Sequence, residues 1–272
     1  MTSADRLEAT ILGCGSSAGV PRLGGPDGAG DWGACDPSNP KNRRRRCSLL
    51  IRHGKTTVLV DTAPDMREQL LAARVTYLDA VLMTHAHADQ TNGIDDLRPL
   101  TYLMKKRVDM YADERTLTHL SRQFSYCFTA VAGYPAIITG HVIPEPFSEI
   151  EIEGAGGAIP VLAFWQEHGP VRSLGFRFGG LAYSSDVSSL DESAFAALEG
   201  IDTWIVDALR YTPHPTHANV ETALEWIARV KPRRAILTNL HIDVDYAELA
   251  RQLPAGVEPA YDGMIVDAAL AR

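Results

Sequence analysis

The chain has 272 residues, 45% hydrophobic and 22% charged, with a formal net charge of -8 at neutral pH. That length is ample for a buried core, and the composition is that of a globular protein. The acidic balance argues against a protein that grips nucleic-acid backbone, so RNA or DNA binding is not expected; a small anionic substrate in a local positive pocket remains open.

Residues 1–8 are mixed polar, with no basic start leading into an apolar stretch, so no secretory signal is expected. No apolar run approaches the ~18 residues of a membrane span. Residues 9–12 read as a strand ending in Gly13-Cys14-Gly15-Ser16-Ser17. A dinucleotide fingerprint is not met there, because Ala18 stands where a third glycine belongs. Arg43-Arg44-Arg45-Arg46 reads as a solvated basic loop, with an anion clamp as the alternative. Strands over 48–52 and 57–60 flank the turn His53-Gly54-Lys55, and a helix runs from Pro64 to about residue 71.

A strand over 81–84 is followed by a helix opening at 93–97, with Asp95 and Asp96 in its first turn, and by another over 114–124. The middle of the chain is rich in Pro and Gly, with residues 154–157 read as a hairpin loop. Strands resume over 159–165, 174–178 and 181–184. Strand and helix then alternate: strand 204–206, helix 220–230, strand 235–237, helix 246–253. The pattern predicts two mixed sheets packed face to face with helices outside, a four-layer αββα sandwich, as one domain over 1–272. Cys14, Cys35, Cys47 and Cys127 form no CxxC pair, which points to free thiols in a reducing cytoplasm.

The most informative stretch is Thr84-His85-Ala86-His87-Ala88-Asp89-Gln90, directly after the apolar run Ala80-Val81-Leu82-Met83. Two imidazoles and a carboxylate at alternating positions, released at a strand end, can converge on one cation. The same order of strand and then ligand-type residue recurs. His168 follows the strand ending at Trp165, and Asp186 follows Tyr183-Ser184-Ser185. His214 and His217 come after the strand that ends near Asp207, and His241 comes after Ile236-Leu237-Thr238. Loops at one edge of a rigid sandwich can bring such groups together. By contrast His53, His119 and His141 read as surface residues.

The segment resembles the HxHxDH signature of the metallo-β-lactamase superfamily, with Gln90 in place of the last His. Over nearly the whole chain, from Leu12-Gly13-Cys14-Gly15 to Tyr261-Asp262-Gly263-Met264, it resembles the phosphoribosyl cyclic phosphate phosphodiesterases, relatives of ribonuclease Z. That resemblance implies a first metal site of His85, His87 and His168 with Asp186 bridging, suited to zinc or manganese. It implies a second site of Asp89, Gln90, Asp186 and Asn239, where Gln90 and Asn239 replace imidazoles with amides. The second ion is therefore expected to be weak, hard, or absent until substrate supplies oxygens. His241, two positions past Asn239, would replace the missing imidazole or face the substrate if the strand continued, and His214 is expected on the substrate side. Asp89 is expected to act on the attacking water and His217 as the acid that protonates the leaving group.

The implied activity is hydrolysis of a small phosphoester, a cyclic ribose phosphate or nucleotide-like compound. A mononuclear hydrolase of acyl or thioester substrates and a degenerate metal- or nucleotide-binding member are the alternatives. A homodimer is compatible with this reading. The structural zinc of better-known relatives is not expected, because residues 24–35 carry one cysteine.

Overall fold

The computed structural model describes residues 6–145 and 147–270. These form two sheets of seven strands each. The first contains β1 (Arg6–Gly13), β2 (Ser48–His53), β3 (Thr56–Val60), β4 (Ala80–Leu82), β5 (Val108–Ala112) and β6 (Ile138–Val142) in that order. The second runs backwards through the sequence, from β13 (Val257–Pro259) through β12 (Arg234–Thr238), β11 (Thr203–Asp207), β10 (Leu181–Ser184), β9 (Val171–Phe178) and β8 (Ile159–His168) to β7 (Ile150–Ile152). The last strand, β14 (Met264–Ala269), returns to pair with β1 on the outer edge of the first sheet.

Helices α1 (Met66–Ala72), α2 (Ala88–Thr91), α3 (Arg98–Met104), α4 (Glu114–Gln123) and α5 (Ser125–Phe128) connect strands of the first sheet. Helices α6 (Glu192–Ala197), α7 (Val220–Val230) and α8 (Tyr246–Gln252) do so for the second. The αββα sandwich expected from the sequence is the architecture the chain adopts.

Its cause lies in the period-two pattern. In β2, Leu49 and Ile51 face the second sheet, while Leu50 turns to the helix side. In β3, Val58 and Val60 face inward and Leu59 outward. All six are fully buried. Strands covered on both faces must be apolar on both, which is why these runs look continuous rather than alternating. The inner layer joins Leu7, Ile11, Phe176, Tyr183, Ile205 and Ile236 across the two sheets. The outer face of the second sheet seats Trp204, whose indole donates to Ser184 Oγ at 3.0 Å, against α6, α7 and α8.

Helix α7 begins where Asn219 accepts from Thr222 N and ends at Lys231 in a left-handed conformation, matching the range read from the sequence. Strands β5, β6, β7, β13 and β14 and helices α2, α5 and α6 escape that reading, since most are too short to show a period. Two surface assignments are corrected. His53 is 6% exposed, with Nδ1 3.0 Å from the Arg6 carbonyl. Arg44 is 2% exposed and donates to the carbonyls of Val244 at 2.8 Å and His241 at 3.2 Å. Arg45 pairs with Asp262 and Arg46 with Asp65, so most of the basic run braces the loop against distant chain.

Candidate metal centre

Strands β8, β10, β11 and β12 run in one direction, because β8 and β10 are each antiparallel to β9 and the last three are mutually parallel. Their C-terminal ends therefore share a rim, which the end of β4 faces from the other sheet. Several chains leave this rim through a left-handed residue: Asp61 after β3 (φ 62°), Asp186 after β10 (φ 56°) and Asn239 after β12 (φ 62°). Asp and Asn tolerate this region better than other side-chain-bearing residues, because the short polar group bonds locally. Gly169, also left-handed, lies so close to Thr216 that a Cβ would come within 2.4 Å of its methyl.

His85, His87 and His168 bring one ligand nitrogen each within 4.8 Å of the others; His168, Asp186 and His217 form a second such group. The far side of two of these rings is tied down. Thr84 Oγ1 donates to Asp61 Oδ2 at 2.9 Å, so His85 Nδ1, 3.0 Å from that hydroxyl, carries the proton it donates there. His168 Nδ1 donates to the Thr216 carbonyl at 2.7 Å. Both rings therefore turn an unprotonated Nε2 into the centre. His85 Nε2 is buried there without a hydrogen-bond partner, and His168 Nε2 lies 3.3 Å from His87 Nδ1.

Burial holds His85 down at about 3 and lowers His87 and His168 as well, so all three are neutral near pH 7. Converging lone pairs repel unless a cation sits between them, and this donor set fits a divalent transition metal. Asp186 is buried beside them. Burial opposes its charge, but the imidazoles of His85, His217 and His168 keep its carboxyl below the usual range.

The other half of the centre is built differently. Gln90, 1% exposed, donates its amide to Asp186 Oδ2 at 3.2 Å and approaches Asp89 Oδ2 at 3.5 Å. Burial and the charge of Asp186 raise Asp89 to about 6. The amide of Asn239 lies 3.2 Å from His217 Nδ1. That nitrogen is also 2.7 Å from Oδ2 of Asp207, a fully buried carboxylate at the end of β11. Burial works against a charge on His217, but Asp207 outweighs it and holds the imidazole up at about 9.

Asp207 is the residue that sequence reasoning missed, although the same signal marks it: an acid closing the apolar run Trp204-Ile205-Val206. Thr84, Asp61 and Thr216 carry no such mark. His214 lies 5.2 Å from His217 between ring centroids, with Nδ1 accepting from Thr216 N. His241 stands apart from these groups. Strand β12 stops at Thr238, the left-handed Asn239 breaks the period of two, and the His241 ring meets Asp243 at 3.0 Å instead of joining either ligand group.

Beside His85 and His87 opens a cavity of about 500 Å³, bounded by the start of α4 on one side and by Trp165, Val171 and Arg172 on the other.

Residues 56–242 match the family model described as a beta-lactamase superfamily domain. A solved structure described as a new diphosphatase from the PhnP family is 34% identical. The match covers 98% of this chain and 99% of that one, with a TM-score of 0.87. Zn²⁺-bound PqqB from Methylobacterium extorquens shares the fold at 18% identity, with 95% and 99% coverage and a TM-score of 0.75. An octanoyltransferase of Porphyromonas gingivalis is 28% identical over 264 residues, 95% of this chain and 51% of its own length. The chain thus spans about half the length of the curated relative it matches.

Proposed function

The chain belongs to the beta-lactamase superfamily, whose members are hydrolases, and to its PhnP family, and on that premise we propose a metal-dependent phosphodiesterase acting on a small phosphoester. The observation that carries this reading is the buried His217–Asp207 pair, whose imidazole lies 4.8 Å from that of His168 between centroids. Hydrolysis of a phosphodiester expels an alkoxide, a poor leaving group that needs a proton as the bond to phosphorus breaks. Thioester cleavage expels a thiolate and has no such need.

His85, His87, His168 and Asp186 would hold the cation, which supplies charge to polarise the phosphoryl group and to activate water. Asp89, raised to about 6, accepts the proton from the water oxygen that bonds to phosphorus. His217, charged at neutral pH, releases its proton to the departing oxygen, and Asp207 stabilises the charged ring beforehand and orients it. Buried Asp61 and Thr84 fix His85, and Thr216 fixes His168.

The amide half does not fit a second zinc. Gln90 already satisfies Asp186 and approaches Asp89, and neutral amides are poor zinc ligands. We therefore assign one tight ion per chain, zinc or manganese. The four cysteines are buried and unpaired, which supports the expectation of a reducing, cytoplasmic setting. No helix among the described residues is long and apolar enough to cross a membrane.

The acyl-substrate reading draws on the octanoyltransferase relative, whose name belongs to a chain about twice as long. The deciding experiment incubates the metal-loaded protein with bis-p-nitrophenyl phosphate and, separately, with an octanoyl thioester. Turnover of the phosphodiester alone is expected; turnover of the thioester alone would replace this assignment.

A further inference from the structure

The cavity beside His85 and His87 has a wall prepared for a flat ligand. Trp165 is held from behind: its indole Nε1 donates to Glu145 Oε2 at 3.1 Å, and Phe147 packs at 5.3 Å with the rings tilted. The Arg172 guanidinium lies 5.6 Å from the ring centroid, and the indole remains partly exposed to the cavity. A positioned aromatic face with a guanidinium near it is what a nucleobase stacks on.

The charges around it argue against other occupants. Asp113, Glu114 and Glu145 offset Arg115 and Arg172, so there is no positive surplus to hold a second phosphate. Its apolar lining is the indole, Ala86, Val171 and the stems of the longer polar side chains, enough to cover a flat ring. A base and sugar fit both constraints: one stacks, and the hydroxyl and ring-edge donors find carboxylates. The volume of about 500 Å³ lies within the usual range for a small-molecule site.

Position gives the orientation. His85 and His87 line the cavity, whereas His217 lies beyond His168 and does not. The group in the cavity is thus not the one that His217 protonates. We infer that this cavity is a nucleoside subsite: the base stacks on Trp165, the nucleoside is the ester that stays on phosphorus, and the other ester leaves. The product is a nucleoside monophosphate. Water adds its oxygen to phosphorus, the bond to the departing oxygen breaks, and one alcohol is released. This rests on the phosphodiesterase reading.

Thymidine 5′-(p-nitrophenyl phosphate) and ethyl p-nitrophenyl phosphate release the same chromophore and differ in the retained ester. The expected result is a KM about tenfold lower for the thymidine ester. In Trp165→Ala the ratio of the two KM values should fall toward one, and Trp165→Phe should restore most of it. Equal KM values in the unaltered protein, or a ratio insensitive to Trp165→Ala, overturn the subsite. Equilibrium dialysis with thymidine 5′-monophosphate reads it without turnover. Saturable binding weakened about tenfold by Trp165→Ala supports the inference, and binding that is absent or unaffected overturns it. Binding with neither ester hydrolysed would instead retire the phosphodiesterase reading and keep the nucleoside site.

Discussion

The two halves of the centre use similar numbers of polar side chains to opposite ends. In the imidazole half, Thr84 and Thr216 engage the outer nitrogens of His85 and His168, so His85 Nε2 is left without a partner and His168 Nε2 faces only His87 Nδ1. In the amide half, Gln90 donates to Asp186, and Asp207 with Asn239 flanks His217, so the amide nitrogens and the His217 ring are engaged while Gln90 Oε1 stays without a partner. Converging imidazole nitrogens left unsatisfied call for a cation, whereas a half whose carboxylates are already bonded and whose one spare atom is an amide oxygen holds a transition metal poorly.

The largest effect should come from breaking the first half. His168→Ala is expected to take bound metal from about one equivalent per chain to near none, with turnover lost, as read by elemental analysis beside an activity assay. With a phosphodiester whose leaving group is an alkoxide, His217→Ala should lower turnover by ~10²- to 10⁴-fold while leaving metal content unchanged; equal loss of metal would make it a ligand. The same residue should set the alkaline limb of the rate profile. The active form is protonated, so activity falls as pH rises through about 9. In Asp207→Asn the supporting charge is gone while burial remains, so that limb should move toward lower pH. A limb that stays in place in the variant would remove His217 from the acid role.

Thr84→Val tests the support behind the ring. Removing the hydroxyl leaves His85 Nδ1 unpartnered and should weaken metal binding by ~10- to 100-fold, measured by competition with a chelator. The smallest change, and the one aimed at the contrast itself, is the double variant Gln90→His with Asn239→His. It should raise tightly bound zinc from about one equivalent to about two. Two equivalents in the unaltered protein would show that the amide half is open after all.

Much of this was legible because it depends on short-range pattern. Asn219 followed by Val220, Ala223 and Ile227 fixes α7 by a cap and one apolar face, and its limits follow. His85, His87, His168 and Asp186 each follow an apolar run, and the topology carries such strand ends to one rim. What stayed hidden depends on partners far along the chain. Arg44 is buried because the carbonyls of His241 and Val244 accept its hydrogen bonds, and His53 because that of Arg6 lies beside it. No local composition encodes those pairings. The position of His241 stayed hidden because the left-handed turn at Asn239 is a backbone event, and alternation along a strand says nothing about where the strand stops.

The rim draws its nitrogens from both sheets, His85 and His87 from the segment after β4 and His168 from β8. A cation there acts as a rivet through the sandwich, added to the apolar contacts and the few hydrogen bonds, such as Leu174 N to the Thr84 carbonyl, that already join the layers. Such a rivet ties unfolding to metal supply: at a hundredfold excess over its dissociation constant, one site adds about 2.7 kcal/mol. The melting temperature should therefore climb with free zinc or manganese and drop on chelation, so that heat alone reports how full the centre is.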